Sequence, residues 1–169
     1  DPDAAVYYLA KMILAGEDPE FIARRMVILA SEDIGNASPA ARNLDVSTMM
    51  AVKNIGMPDS EIILSPCAGF LASAPKSNAS YMAINQAKAA AQSGDYEIPM
   101  HIRNAPTSLM KSMGYHKGYR YPHDFEENFV KEEYLPEEIK SSRFYNPTEN
   151  GGEKAIRDRL VRLWPEKYK

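Results

Sequence analysis

Asp18-Pro19-Glu20-Phe21-Ile22-Ala23-Arg24-Arg25-Met26-Val27-Ile28-Leu29-Ala30-Ser31-Glu32-Asp33-Ile34-Gly35 is the stretch on which the fold class turns. Its apolar centre, ending in two carboxylates, has the superficial look of a buried strand that delivers acidic Mg²⁺ ligands. Its flanks say otherwise. An aspartate able to cap a helix stands directly before a proline suited to the first helical turn, and the apolar residues then recur at helical rather than alternating spacing until a glycine stops them. The stretch reads as a helix, which removes the catalytic-strand reading of Glu32 and Asp33.

The same punctuation extends outward in both directions. Asp1-Pro2 opens a segment closed by Gly16, and Ser38-Pro39 opens one closed by Gly56. Ser65-Pro66 is expected to open a fourth helix ending near Pro75. Ser77 caps a fifth, whose alanine-rich body runs from Ala79 to Gln92 and stops at Gly94. Short loops imply antiparallel neighbours, and no strand-like alternation competes, so the fold class is all-α, a bundle of helical hairpins.

After Gly94 the texture changes. Prolines at 99, 106, 122, 136 and 147 cut the chain into pieces too short for long helices. The remainder is expected to be an irregular, packed, proline- and tyrosine-rich extension, with short helices at 106–113 and 136–140 and a last amphipathic one from Glu153 to Trp164. Residues 1–169 are read as one helical domain, with 1–94 the main helical part and 95–169 the extension and final helix.

Totals narrow the function. The 169 residues are 44% hydrophobic and 25% charged, and a formal net charge of -3 gives no global attraction to nucleic acid. A single cysteine, Cys67, forms neither an intrachain disulfide nor a Cys-x-x-Cys motif, which fits a reducing intracellular setting. The longest apolar runs are far too short for a membrane span. A start at Asp1 on a helix cap, without an initiator methionine, suggests a piece of a longer chain.

Few residues offer chemistry. The phosphate cradle Gly-x4-Gly-Lys-Ser/Thr is absent, as is a Gly-x-Ser-x-Gly nucleophile elbow, and His116 and His123 lack the companion ligands of a metal site. Glu32 and Asp33 face the negative end of their helix macrodipole and require compensation. A straight helical wheel puts Asp33 with Ile22, Met26 and Leu29, so a buried polar lock with a cation such as Arg25, or a subunit contact, is expected. Pro75-Lys76-Ser77-Asn78 stands before the fifth helix, where the serine and asparagine supply cap groups and Lys76 can meet an anion at the helix N-terminus.

The least ordinary stretch is Ile98 to His123, which has no Asp or Glu yet carries Arg103, Lys111, Lys117, Arg120 and all three histidines. Cations interleaved with aromatics such as Tyr119 suit phosphate contact and base stacking. They equally suit a packed loop or subunit contact, with arginine stems on tyrosine faces and the acidic run 124–138 as counter-charge. The basic face of the final helix, Lys154, Arg157, Arg159 and Arg162, reads as a solvated face.

Taken together, several stretches resemble the C-terminal region of the RarA/MgsA family of replication-associated recombination AAA+ ATPases, relatives of the Werner-helicase-interacting ATPase. These are Asp1-Pro2-Asp3-Ala4-Ala5, Ile22-Ala23-Arg24-Arg25 through Ser31-Glu32-Asp33-Ile34-Gly35, Ala74-Pro75-Lys76-Ser77-Asn78-Ala79, Arg103-Asn104-Ala105-Pro106-Thr107, Gly114-Tyr115, Gly118-Tyr119-Arg120-Tyr121-Pro122-His123-Asp124 and Tyr134-Leu135-Pro136. The resemblance implies a helical assembly domain that builds a homotetramer in a clamp-loader-like, DNA-stimulated ATPase acting at stalled replication forks. It also implies that ATP and Mg²⁺ belong to an AAA+ core outside these residues, that this segment holds no cofactor and catalyses nothing itself, that DNA and replication-fork proteins are partners of the whole protein, and that the protein is cytoplasmic and nucleoid-associated. The nine methionines suit extensive helix and subunit packing.

Overall fold

The computed structural model describes residues 1–169 and contains helices and turns with no strand. Five long helices form in order: α1 (Pro2–Leu14), α2 (Pro19–Leu29), α3 (Pro39–Ile55), α4 (Ser60–Ser73) and α5 (Ala79–Ser93). The caps work as the sequence implies. Asp1 Oδ1 accepts from the backbone N–H of Asp3 and Ala4 at 3.0 and 3.1 Å, and Asp18 Oδ1 accepts from that of Glu20 at 3.0 Å. Each satisfies donors that the first helical turn leaves free.

Helix α1 packs on α4, α2 on α3, and α3 on α4. Leu9, Ile22, Ala23, Val52, Leu64 and Ala68 fill the space between them. A second cluster, Ala30, Ile34, Ala41, Cys67 and Leu71, extends this core toward the end of α2. Helix α5 sits apart. Its N-terminal end leans on the turns that follow α2, while Tyr81, Met82 and Ile84 face outward.

Two expectations about these helices need correction. Helix α4 begins at Ser60 rather than at Pro66, which lies inside it. Pro66 removes the bond its missing N–H would have made to Ile62 and sets its ring against that carbonyl, but on a turn that faces solvent, and Ser60 Oγ donates to the Gly56 carbonyl at 2.9 Å to start the helix early. The second correction concerns Asp33. Beyond Leu29 the chain widens into one π turn, Ala30–Ile34, before a 3₁₀ turn at Gly35–Ala37. The extra residue per turn shifts the buried stripe to positions 22, 26, 30 and 34, so Ile34 is enclosed and Asp33 is turned out to solvent.

The rest of the chain is irregular, as its prolines dictate. Helix α6 (Ser108–Ser112) is short and capped by Thr107, residues 137–139 form a 3₁₀ turn rather than a helix, and α7 (Glu153–Leu163) is followed by α8 (Pro165–Tyr168). Helix α7 docks against the 3₁₀ turn at 35–37, where the Gly152 N–H donates to the Ala37 carbonyl at 2.8 Å. No helix is long and apolar enough to cross a membrane.

Candidate functional site

Polar groups gather in three places, and the first two surround a shape that can hold something. The first is a groove of about 400 Å³ between α1, α2 and α4. Its floor is apolar, with Leu9, Met12, Ile28, Leu29 and Leu71, and its rim carries Arg25, Glu32, Asp33 and Lys76. The structure thus brings together four of the residues singled out in the sequence.

It does not join them as a lock. Arg25 and Asp33 are exposed, Glu32 is half-buried, and none of the three takes part in an ion pair within the chain. The π turn is the cause, because it rotates the carboxylates away from the interhelical seam. Lys76 is committed to the chain itself, since its Nζ donates to the Leu71 and Ala74 carbonyls and so neutralises the C-terminal end of α4. The capping role beside it falls to Ser77, whose Oγ accepts from the Ala79 N–H at 3.2 Å.

The second place is a polar cleft of about 690 Å³ lined by Asn104, Pro106, Lys111, Tyr115, His116 and Lys117 among others. It lies in the acid-free ribbon, and the ribbon's cations divide into two sets. Arg103 is held by Glu97 at 2.9 Å and lies 5.3 Å over the Tyr115 ring. Arg120 lies 3.8 Å from Glu132 and 4.5 Å over the Phe125 ring. Those two arginines serve packing. Lys111 and Lys117 are exposed and form no ion pair, and beside them His116 stacks on Tyr119 at 4.5 Å.

The third place was not foreseen from the sequence. Glu153, fully buried at the start of α7, accepts from Tyr145 Oη at 2.8 Å, from the Thr148 N–H at 2.9 Å and from Thr148 Oγ1 at 2.7 Å. Burial on its own would raise the carboxyl pKa, but hydrogen bonds from Ser77, Thr148 and Tyr145 outweigh it and hold the group below the usual carboxylate range. Burial also pushes the Tyr145 phenol up to about 12. Asn36 Nδ2 donates to Tyr145 Oη at 3.0 Å, Asn150 Nδ2 to the Lys76 carbonyl at 2.9 Å, and the Ser77 N–H to the Asp33 carbonyl at 2.8 Å. This hub clamps the end of α2, the loop before α5 and the start of α7 into one unit. Every group in it is already satisfied, which makes it structural.

A second buried acid, Asp45, lies between α3 and α4 and accepts from Cys67 Sγ at 2.7 Å, while its other oxygen has no partner. Burial raises both pKa values, the thiol to about 12, so Cys67 is not a nucleophile. The basic face of α7 is largely neutralised: Lys154 pairs with Asp158, Arg157 with Glu149, and Arg159 and Arg162 with Glu127. No three metal-ligating side chains stand together.

Comparison with known proteins places this arrangement. A protein of Thermotoga maritima is 49% identical over 168 residues, which is 99% of this chain and 27% of that protein. The replication-associated recombination protein A of Escherichia coli (strain K12) is 44% identical over 164 residues, covering 96% of this chain and 37% of that protein. The ATPase WRNIP1 of Dictyostelium discoideum is 39% identical over 148 residues, 86% of this chain and 17% of that protein. The chain therefore spans well under half the length of these relatives. Residues 1–164 match the family described as MgsA AAA+ ATPase C terminal, and the chain belongs to that family.

Proposed function

We propose that this chain is the self-assembly domain of a clamp-loader-like AAA+ ATPase that works in replication-associated recombination, and that it builds a homotetramer. The observation that carries the reading is exposed surface. A compact monomer of 18.9 kDa is expected to expose about 8,300 Å². This chain exposes 10927 Å² and buries 21 of its 169 residues. The excess, about 2,600 Å², exceeds the roughly 800 Å² that each partner contributes to a standard protein interface. Much of it is apolar: Tyr7, Tyr8 and Leu14 of α1 are 60%, 62% and 87% exposed.

In this reading ATP and Mg²⁺ bind outside these residues, in the larger part of the relatives that the chain does not span. Assembly raises the local concentration of the attached ATPase and DNA-contacting parts, so that individually weak contacts act together. Sedimentation of the chain over a dilution series is the test. A tetramer, or a dimer that grows with concentration, is expected, and a monomer at every concentration refutes the reading.

A second reading, contact with nucleic acid, is favoured by one observation: Lys111 and Lys117 remain unpaired beside the His116–Tyr119 stack in a cleft with no acidic lining residue. It predicts salt-sensitive retention of single-stranded DNA by the chain, lost in K111E/K117E. Absence of binding at low salt refutes it.

A further inference from the structure

The end of helix α2 carries Arg25, Ile28 and Leu29, the π turn that continues it carries the half-buried Glu32, and all four line the groove together. They follow one another as a stripe along about 10 Å of the groove, Arg25, Ile28 and Leu29 at α-helical spacing and Glu32 in the wider register of the π turn. Ile28 and Leu29, the last two residues of α2, are 44% and 40% exposed although the helix is packed on its other side against α3. The stripe has a basic pole, Arg25, and an acidic pole, Glu32 with Asp33 beside it. Among the rim charges only Lys76 is occupied, by backbone carbonyls.

We infer that this stripe is an isologous contact: α2 packs antiparallel against α2 of a second copy, about a two-fold axis passing between Ile28 and Leu29. That operation is self-complementary in both chemistry and register. It sets Ile28 on Leu29 of the second copy at the centre, and Arg25 opposite Glu32 at each end, because both pairs are equally distant from the axis. Both carboxylates that the π turn releases from their own chain thereby gain a cation or its neighbourhood, and the apolar groove floor is covered. An unrelated helix would need its own matching basic and acidic poles, whereas a second copy of α2 has them by construction. The inference rests on the assembly reading and names one of the surfaces that assembly uses.

Charge reversal tests it on the chain as it stands. Arg25→Glu and Glu32→Arg are both surface changes, with circular dichroism as the check on folding. Each alone places like charges at both ends of the contact and is expected to lower the association constant by about tenfold or more in sedimentation equilibrium at low salt. The double variant R25E/E32R exchanges the poles and is expected to return to within about threefold of the unaltered chain. An equimolar mixture of R25E with E32R also restores opposite charges at both ends, so the mixture is expected to associate where neither component does alone. If single reversals leave association unchanged, or neither the double variant nor the mixture recovers it, the α2 contact is overturned while assembly through another face stands. If the unaltered chain never associates, the assembly reading falls and this contact with it.

Discussion

Replacing Glu153 with Gln removes one negative charge from the most enclosed polar site in the molecule and changes almost nothing in volume. The carboxylate has three donors at 2.7–2.9 Å, two on Thr148 and one on Tyr145, beside the Ser77 hydroxyl. All of them point inward at an acceptor. A glutamine offers one carbonyl and one NH₂, so at least one donor must face another donor. The two hydroxyls can rotate, but the Thr148 N–H cannot. Leaving one buried donor without an acceptor costs about 1–3 kcal/mol, and the lost charge assistance falls within that range, so about 2 kcal/mol is expected. For a chain of this size that lowers the midpoint of thermal unfolding by about 4–8 °C. Glu153→Ala strands all three donors and is expected to cost about 3–5 kcal/mol. The pH dependence follows from the direction of the pKa. Because the folded carboxyl is held below its ordinary value of 4.5, its contribution is complete above that pH and disappears as the pH falls through the lower, folded value. Urea unfolding of E153Q and the unaltered chain at pH 7 and near pH 3 provides the measurement. The difference between them should be full at pH 7 and smaller at pH 3. Equal stability at pH 7, or a difference that does not shrink in acid, refutes the account of Glu153 as an ionised clamp.

Three further outcomes follow from the core. Asp45 is raised in pKa by burial and leaves one oxygen unpartnered, so its contribution is greatest in acid and is lost as the pH rises through the folded value. Asp45→Asn should therefore flatten the fall in stability that sets in as the pH rises above the ordinary carboxyl value of 3.8, as read by melting temperature, and an unchanged slope contradicts the burial argument. Cys67, with a thiol pushed up to about 12, should react with a maleimide no faster than the protein unfolds, and fast labelling of the native chain contradicts its enclosure. Leu64→Ala empties a site that is 0% exposed between α1, α2 and α3 and should cost about 2–5 kcal/mol in urea unfolding.

How far the sequence carried the fold depends on the range of the interactions involved. Asp18-Pro19 and Gly56 act within one turn of themselves, and the boundaries they imply are close to those of α2 and α3. Pro66 misleads because its local rule, that proline opens helices, is overridden by packing of α4 on α1 and by Ser60, and nothing within four residues reveals that. The π turn at 30–34 is spelled with ordinary helix formers, so a straight wheel assigned Asp33 to the wrong face. Glu153 was invisible for a third reason. Its partners Tyr145 and Thr148 are near in sequence, but the cluster docks on the rest of the fold only where Asn36 meets Tyr145, 109 residues away, and Asn150 meets Lys76, 74 residues away. Arg25, Glu32, Asp33 and Lys76 were legible as residues needing an explanation, yet their common groove exists only in three dimensions.

The hub and the groove are parts of one device, because they share a wall. Asp33 lies on the groove rim while its own carbonyl accepts from the Ser77 N–H, and Lys76 lies on the same rim while its carbonyl accepts from Asn150. Ser77 and Asn150 are in turn held by the cluster around Glu153, through the docking of Gly152 on Ala37. The π turn has a dual effect in this scheme. It lifts two carboxylates out of the interhelical seam, where they would be buried against the negative end of α2, and it presents them on the outer surface beside an uncovered apolar stripe. A straight α-helical end would have buried Asp33. The extension beyond Gly94 then contributes more than bulk, since the start of α7 fixes the end of α2 on which the groove depends. Separating the two halves of the chain would therefore release the end of α2 on which the groove depends.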